Sequence, residues 1–351
     1  MIPQPVADTL VSAKSVSKAY PLPIQGHPWK REMTWAVRDF SLEIRRGEIV
    51  GLVGESGSGK TTVGRTLLRL GNLTRGSVSF RGSDISELTN AQLRPYRRHM
   101  QMIFQSPVVS LNPRMTVGRN VEEALLIHGI GKSRHDRQER VHALLQRVGL
   151  STSYADRYPQ QLSGGQCQRI GIARAIAVEP DFIVADEPVS ALDVSIQAQV
   201  INLLLDVKDE FGLTMLFVSH DLGVVRHISD RIVVLYLGRI MEIADSDQLF
   251  SSPAHPYTKA LIDAAPMPFP GSNRMKVLKG EIPSPVSPPT GCVFRTRCPI
   301  ASAECASAVP ALRAIDDGHY SACIKSTCKS ESSAERDHSH LVQNPATANR
   351  A

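Results

Sequence analysis

Short, almost wholly apolar segments alternate with helical ones along the chain. Residues 48–54, 181–188 and 214–221 have the length and character of strands buried on both faces of a parallel sheet. Residues 60–70, and the stretches rich in Ala, Ile and Leu between the strands, have helical character. This alternation predicts an α/β fold with helices on both faces of a parallel sheet. In such folds ligands bind at the carboxyl ends of the strands.

Two other regions have different patterns. Four apolar residues recur at the spacing of one helix face and indicate a helical subdomain at about 106–165: Val141, Leu144, Leu145 and Val148. Nearer the N-terminus, alternation of apolar and polar residues predicts strands at 11–20 and 34–44. The intervening residues 21–33 are rich in Pro and Gly and predict a loop.

Length and composition suggest where the domains lie. A chain of 351 residues exceeds one average domain, which favours one large domain with a smaller appendage. From about residue 251 prolines become frequent, so we assign a core domain to 1–250 and a cysteine-containing extension to 251–330. The polar tail at 331–351 lacks apolar periodicity and is predicted to be disordered.

Charge and hydropathy exclude two classes of direct partner. The net charge is +6, but the Lys and Arg residues are scattered, which indicates a solvated surface and no nucleic-acid partner. No segment approaches the roughly 18 uninterrupted apolar residues of a membrane span. The N-terminus also lacks the pattern of a signal peptide. These observations predict a cytoplasmic protein that reaches a membrane only through a partner.

A glycine-rich sequence follows the first apolar strand and opens a helix. It fits G-x-x-x-x-G-K-[ST] in the context that a phosphate-binding loop requires. Its glycines let backbone N–H groups turn toward phosphate oxygens, Lys60 would neutralise the β- and γ-phosphates, and Thr61 would ligate Mg²⁺. The predicted nucleotide-binding residues here are Gly54, Glu55, Ser56, Gly57, Ser58, Gly59, Lys60, Thr61 and Thr62.

Two adjacent carboxylates, Asp186 and Glu187, end the apolar strand at 182–187. Buried strands rarely end in adjacent acids without a reason. Asp186 is placed to hold Mg²⁺, directly or through water, and Glu187 is placed to polarise an attacking water. Alone, such a pair also fits a cap on the following helix, so its meaning depends on the phosphate-binding loop.

A second anion site is predicted before the helical stretch at 167–177. It offers a hydroxyl and bare backbone amides at a helix N-terminus; its residues are Leu162, Ser163, Gly164, Gly165 and Gln166. A chain with its own phosphate-binding loop does not need another γ-phosphate site for the same nucleotide. The second site therefore indicates a nucleotide held by another subunit.

The order of these motifs resembles the nucleotide-binding domain of ABC transporters over about residues 10–250. The order is the phosphate-binding loop, Gln105, LSGGQ, the carboxylate-ending strand, SALD at 190–193, and His220. The resemblance implies a P-loop NTPase core that binds ATP and Mg²⁺ and hydrolyses ATP. It also implies a head-to-tail pair of such domains, with His220 on the γ-phosphate.

The resemblance assigns further individual roles. Tyr20 would stack on adenine, with Trp29 and Trp35 as competing rings. Gln105 would ligate or sense Mg²⁺ and sense the transmembrane partner. Asp193 would face the opposite subunit.

Three segments resemble the ATPases of dipeptide/oligopeptide importers, a group that includes nickel and opine systems: 101–118, 184–204 and 255–262. The resemblance implies a related second ATPase subunit, two transmembrane permease subunits and, through the complex, an extracytoplasmic solute-binding protein. It puts this chain on the cytoplasmic face of the bacterial inner membrane, as a peripheral subunit. A non-transport ABC ATPase is the main alternative, but the sequence lacks the long coiled coil or second cassette of such proteins. Ser106 and Cys167 depart from the group's usual acidic residue and Arg, and we interpret Cys167 as a packed residue.

Cysteines cluster late in the chain. Four of them run as C-x5-C-x6-C-x17-C, which is not a regular zinc spacing: Cys292, Cys298, Cys305 and Cys323. By resemblance to some peptide-importer ATPases they would bind a [4Fe–4S] cluster, with zinc or free thiols as alternatives and Cys328 able to replace Cys323. Because so small a module rarely holds itself together by core burial, the cluster would be its staple, away from the nucleotide.

Overall fold

The computed structural model describes residues 8–24, 27–264 and 280–326, so the predicted tail at 331–351 lies outside the described residues. The strands are β1 (Thr9–Ile24), β2 (His27–Arg45), β3 (Ile49–Val53), β4 (Arg75–Phe80), β5 (Ser83–Asp84), β6 (Met100–Ile103), β7 (Phe182–Asp186), β8 (Thr214–Val218), β9 (Arg231–Tyr236), β10 (Arg239–Asp245), β11 (Arg313–Asp316) and β12 (His319–Ser321). The α-helices are α1 (Lys60–Leu67), α2 (Asn90–His99), α3 (Pro107–Ser110), α4 (Val117–Ile127), α5 (Arg134–Arg147), α6 (Gly164–Ile176), α7 (Val194–Phe211), α8 (Leu222–Ile228), α9 (Ser246–Ser251), α10 (Pro256–Ala264) and α11 (Glu304–Ser307). Two 3-10 helices span Thr152–Asp156 and Pro159–Gln161.

The main sheet has eight strands in the order β11-β12-β10-β9-β3-β8-β7-β6. Neighbours from β9 to β6 pair in parallel. Every residue of β3, β7 and β8 is buried, which confirms the three predicted apolar strands. Because these strands are parallel, the segments that follow β3, β8, β7 and β6 all leave the sheet at the same edge.

A second sheet, with the order β2-β1-β4-β5, is antiparallel. Its Phe40 and Val78 share a hydrophobic core with Leu52 and Val184 of the main sheet. The predicted loop at 21–33 is wrong, because β1 and β2 extend into this segment as a long hairpin.

The physical reason for that error lies in where the two prolines of β1 sit. The Ala19 N–H points away from β2 and donates to Thr74 Oγ1, and the nitrogens of Pro21 and Pro23, two and four residues further along, point to the same side of β1. Both come after Ser17, the last β1 residue that pairs with β4. A missing N–H on this open edge breaks no ladder hydrogen bond, so the strand tolerates both prolines.

The helices α3 to α6 and the two 3-10 helices lie between β6 and β7 in the chain. The four apolar residues predicted to share one face of a helix are all buried in one core cluster: Val141, Leu144, Leu145 and Val148. Ile170 and Ile172 of α6 belong to the same cluster. The predicted amphipathic helix is therefore confirmed, and its apolar face is what joins the helical part to the core.

The segment after residue 251 is built onto the main sheet. β12 pairs antiparallel with β10, and β11 pairs antiparallel with β12. Val293 and Phe294 are buried in the core cluster that contains Val234 and Tyr236 of β9. The extension therefore shares the sheet and core of the residues before it. The expectation that it lacks such a core is wrong, and its stabilisation by a metal cluster stays a prediction.

Glu242 on β10 is a buried carboxylate that ties the extension to the sheet. It is 0% exposed. Its Oε1 atom accepts hydrogen bonds from His319 Nε2 at 2.7 Å and from the Ala254 N–H at 2.7 Å, and its Oε2 atom accepts from the His255 N–H at 2.8 Å. Removal of this carboxylate would leave three donors without their acceptor, two of them on the buried residues His255 and His319.

We expect Glu242→Ala to lower the free energy of unfolding by about 3–5 kcal/mol, the usual effect of breaking a buried hydrogen-bonded ion pair. Urea unfolding followed by circular dichroism measures the change. The matched control is Glu210→Ala, which removes the partner of Arg147 from a surface ion pair and should cost less than about 1 kcal/mol. Equal losses in the two variants would contradict the assigned role of Glu242.

Candidate nucleotide site

The predicted phosphate-binding loop joins β3 to α1 and closes around its own lysine. Gly59, which precedes α1, has φ of 103°, and a Cβ there would lie 2.2 Å from the Ala36 carbonyl oxygen, so this position requires glycine. The Lys60 side chain is buried, and its Nζ atom donates to the carbonyl oxygens of Gly54 at 2.7 Å and Glu55 at 3.0 Å. The loop therefore holds its cation with backbone dipoles.

Asp186 ends β7 beside the start of α1. Its side chain is buried, and its Oδ1 atom accepts a hydrogen bond from Thr61 Oγ1 at 2.9 Å. Burial raises the pKa of Asp186, and the Thr61 hydrogen bond opposes that rise. A hydroxyl and a carboxylate oxygen held together form the hard oxygen donor set that Mg²⁺ prefers, so the residues present fit the predicted Mg²⁺ site.

Glu187 follows β7 with φ of 46°, in the left-handed region that residues other than glycine rarely adopt. Two side chains from neighbouring strand ends contact its Oε2 atom. Gln105 Nε2, which follows β6, donates to it at 2.8 Å, and His220 Nδ1, which follows β8, lies 3.4 Å from it. The strained turn and these two contacts fix the direction of a carboxylate at the sheet edge.

The structure thus gathers six of the predicted residues at the edge where the parallel strands end: Lys60, Thr61, Gln105, Asp186, Glu187 and His220. Burial lowers the pKa of Lys60, while the carboxylates of Glu187, Asp186 and Glu55 oppose that shift. The site therefore holds one buried cation among acidic groups. This charge arrangement suits a ligand that brings phosphates together with a divalent metal ion.

The LSGGQ sequence forms the exposed start of α6. Ser163 is the N-cap residue, its hydroxyl accepts from the Gln166 N–H, and the Gln166 side chain accepts from the Ser163 N–H at 3.0 Å. Gln166 Nε2 also donates to the Tyr154 hydroxyl at 3.2 Å. This reciprocal cap stabilises the helix start by satisfying two of its free N–H groups, while Ser163 and Gly164 themselves stay exposed.

Three other residues singled out in the sequence lie in α6 or directly before α3 and α7. Asp193 is exposed at the start of α7, and its side chain makes no capping hydrogen bond there. Cys167 is 0% exposed, and its thiol donates to the Pro159 carbonyl oxygen at 3.6 Å, so it is the packed residue that was predicted. Ser106 is exposed before α3.

Tyr20 lies in the hairpin that supports the phosphate-binding loop. It is 41% exposed. Ala36, whose carbonyl packs against the loop, lies in β2 opposite the residues just before Tyr20. Of the competing rings, Trp35 is covered by the Arg75 guanidinium 5.3 Å from its centroid, and Trp29 is 95% exposed. Lys18 Nζ covers the Tyr20 ring in the same way, 5.0 Å from its centroid, so the stacking of adenine on Tyr20 stays a prediction.

Sequence reasoning missed a contact between the extension and the phosphate-binding loop. Arg297 donates to both carboxylate oxygens of Glu55, at 2.6 and 3.0 Å, and the Tyr257 hydroxyl accepts from the Glu55 N–H at 3.0 Å. Since 242 residues separate the ion pair along the chain, no local pattern announces it. The extension therefore contacts the phosphate-binding loop directly, while the expected position of a cluster away from the nucleotide stays a prediction.

The four cysteines of the predicted cluster line one pocket of the extension: Cys292, Cys298, Cys305 and Cys323. The side chains of His255, Phe294 and Ile300 also line it. Among the described residues, no group of three or more His, Cys, Asp or Glu side chains is arranged to hold a single metal ion. Cys328 lies outside the described residues.

Two family models match the chain. The model for the ABC transporter family matches residues 37–190, which contain the phosphate-binding loop, LSGGQ and the acid pair. The model for the oligopeptide/dipeptide transporter C-terminal region matches residues 241–305. The second match begins within β10 and contains Tyr257, Arg297 and three of the pocket cysteines.

Curated relatives extend the similarity over most of the chain. A Brucella ovis protein named as a peptide import ATP-binding protein is 56% identical over 301 residues, which cover 85% of this chain and 95% of that protein. The oligopeptide transport ATP-binding protein AppF of Bacillus subtilis is 48% identical over 322 residues, covering 90% of this chain and 97% of AppF.

Solved structures agree with the fold. A dimeric ATP-binding cassette in a post-hydrolysis state, bound to ADP and Pi, has a TM-score of 0.61 and 32% identity, and the match covers 68% of this chain and 99% of that one. A cassette of the Clostridium perfringens cbiONQ complex has a TM-score of 0.60 at 23% identity, which shows the fold alone. The fold is thus the P-loop ABC cassette, and the chain belongs to the ABC transporter family as an ATP-binding ATPase that carries the oligopeptide/dipeptide transporter C-terminal region.

Proposed function

We propose that this chain is the ATP-hydrolysing subunit of an ABC importer for dipeptides or oligopeptides. The observation that carries the hydrolytic part is the convergence of Lys60, the Thr61–Asp186 pair and Glu187 at one sheet edge. The peptide part is supported by relatives named for peptide import and by the matching C-terminal region.

Each side chain in the site has a step that its position suits. Lys60 neutralises the β- and γ-phosphates, and Glu187 accepts a proton from the water that attacks the γ-phosphorus, so that the bond to the bridging oxygen breaks and ADP and phosphate leave. Gln105 and His220 contact the same oxygen of Glu187 and so orient it. Thr61 and Asp186 would hold Mg²⁺, which supplies charge neutralisation at the phosphates.

We expect Glu187→Gln to bind ATP but to hydrolyse it slower by roughly 10²–10⁴, the usual effect of losing a general base. Lys60→Ala should instead weaken nucleotide binding, because it removes the buried cation. A phosphate-release assay and a titration with ATP separate the two effects.

The control for these two variants is Glu139→Gln, which makes the same substitution at an exposed carboxylate of α5. It should leave both turnover and binding unchanged. Near-normal hydrolysis by Glu187→Gln would refute the assignment of the base.

The proposed working unit is a head-to-tail pair of cassettes, in which the LSGGQ segment of each faces the nucleotide of the other. Support comes from Ser163 and Gly164, which are exposed at the N-terminus of a 13-residue helix. The helix N-terminus and its free amides would stabilise the γ-phosphate of a partner-bound ATP. Asp193 lies exposed on the neighbouring helix start, which suits a contact with the opposite subunit.

Gly164→Asp tests this arrangement with little disturbance of the fold. A Cβ at Gly164 would meet one side-chain atom at 3.7 Å, an ordinary contact, and an acidic residue suits the first turn of a helix. Its charge would repel a partner's γ-phosphate. We expect the Gly164→Asp variant still to bind ATP at its own phosphate-binding loop. Light scattering should detect no ATP-dependent pair for this variant, even with the related ATPase subunit present.

Gly71→Asp serves as the control, because a Cβ there meets nothing within 4 Å and the residue is exposed. In the Glu187→Gln background, Gly71→Asp should form the ATP-dependent pair as readily as the chain that keeps Gly71. Pairing by Gly164→Asp that equals the control would contradict the composite site.

Transport requires proteins beyond this chain. No helix in the described part of the chain is long and apolar enough to cross a membrane. We propose that two permease subunits supply the membrane path, that a related ATPase completes the pair, and that a solute-binding protein delivers peptide. The chain would then act on the cytoplasmic face of the bacterial inner membrane. Vesicles containing the complex should accumulate a labelled dipeptide only with ATP, and uptake of Ni²⁺ or an opine in its place would reassign the cargo.

We also propose that the four pocket cysteines bind a [4Fe–4S] cluster. Support comes from the four cysteines, which line one pocket of the extension. Four thiolates are the ligand set that a [4Fe–4S] cluster takes, and zinc is the alternative.

The contents of iron and acid-labile sulfide in anaerobically purified protein test that proposal. We expect about four of each per chain, and loss of both in Cys305→Ser. Cys167→Ser is the matched control, because that thiol is packed in α6 and should leave the iron content unchanged. Stoichiometric zinc without iron, or a folded protein free of metal, would refute the cluster.

A further inference from the structure

The side chain, the N–H and the carbonyl oxygen of Glu55 all form hydrogen bonds with other residues. Its carboxylate accepts two hydrogen bonds from Arg297, its N–H donates to the Tyr257 hydroxyl, and its carbonyl oxygen accepts from Lys60. Two of these three holders belong to the C-terminal part of the chain. The second residue of the phosphate-binding loop is therefore fixed from outside the core as well as from within it.

The groups that hold Glu55 are buried and closely packed. The Arg297 side chain is 4% exposed, and the fork geometry of a bidentate guanidinium–carboxylate pair fixes both direction and distance. Tyr257 is 0% exposed, and its ring centroid lies 4.7 Å from that of Tyr236 and 5.2 Å from that of Phe294. Side chains packed in this way have little freedom to follow a moving loop.

Both holders are anchored within the extension. Tyr257 is in the first turn of α10, where its N–H donates to His255 Nδ1 at 3.0 Å. Arg297 directly precedes Cys298, and its N–H donates to the Phe294 carbonyl oxygen at 3.0 Å. The segment that carries the guanidinium is thus bounded by two cysteines of the same pocket, Cys292 and Cys298.

We propose that Arg297 and Tyr257 are positioning residues for nucleotide binding, which hold the phosphate-binding loop through Glu55 and make its affinity depend on the extension. The proposal rests on the proposed placement of the nucleotide at this loop. Displacement of Glu55 would move one of the two carbonyls that hold Lys60. The ammonium would then meet the β-phosphate in a different position.

A double-mutant cycle with ADP as the probe tests the proposal, because ADP is not hydrolysed and lacks the γ-phosphate that would bind LSGGQ. We expect Arg297→Gln and Glu55→Gln each to raise the Kd for ADP about tenfold, as for loss of a hydrogen-bonded ion pair. The double variant should also be about tenfold weaker, far from the product of the single effects. Tyr257→Phe, which removes only the hydroxyl, should raise the Kd about threefold.

In Arg297→Gln and Tyr257→Phe the KM for ATP should rise with the Kd, while kcat at saturating ATP changes less than about twofold, because neither residue contacts the reacting atoms. Arg295→Gln is the matched control, since the Arg295 guanidinium donates to Thr290 within the extension, and the Kd of this variant should stay at the wild-type value. Thermal melts identify variants that fail to fold. If Arg297→Gln fails, Glu55→Gln and Tyr257→Phe still report on the contact.

Folded variants that bind ADP with wild-type affinity, or multiplicative effects in the double variant, would overturn the proposal. Lys60→Ala separates this outcome from failure of the site itself. If Lys60→Ala loses ADP binding while the Glu55 variants do not, the nucleotide site stands and the positioning role falls. If Lys60→Ala binds ADP normally, both fall.

Discussion

The charge balance around one buried ammonium governs the nucleotide site. Lys60 is held by the carbonyls of Gly54 and Glu55, and the carboxylates of Glu187, Asp186 and Glu55 act on it electrostatically. Burial disfavours the charged form of Lys60 and of Asp186 alike, so each depends on the groups around it. The parallel sheet makes this balance possible, because it ends four strands at one edge and brings residues distant in sequence into one site.

Much of this site could be predicted from the sequence because its parts are local. The phosphate-binding loop, the acid pair and the LSGGQ helix start are each short motifs whose residue types indicate their chemistry. The loop and the acid pair follow strands of the same parallel sheet, which predicts that they lie close together. The long hairpin could not be predicted, because Pro21 and Pro23 suggest a loop until the open edge of β1 is known. The Arg297–Glu55 pair lacked any local signal, since its partners lie 242 residues apart along the chain.

The extension is a support for the nucleotide site as well as an attachment to the sheet. Glu242 ties β10 to β12 and to the turn before α10, and Tyr257 then reaches the phosphate-binding loop. The residues His255, Pro256 and Tyr257 thus have distinct physical roles. The histidine accepts the Tyr257 N–H, proline opens the helix, and tyrosine holds the loop.

The most direct test of the account is the rate of phosphate release by the wild-type chain, assembled with its partner subunits, as a function of ATP with Mg²⁺ present or chelated. The account predicts release that saturates with ATP and stops when Mg²⁺ is removed, because Thr61 and Asp186 form an oxygen site for the ion beside the loop. Release no faster than in a protein-free blank, or release that persists without any divalent cation, would contradict it.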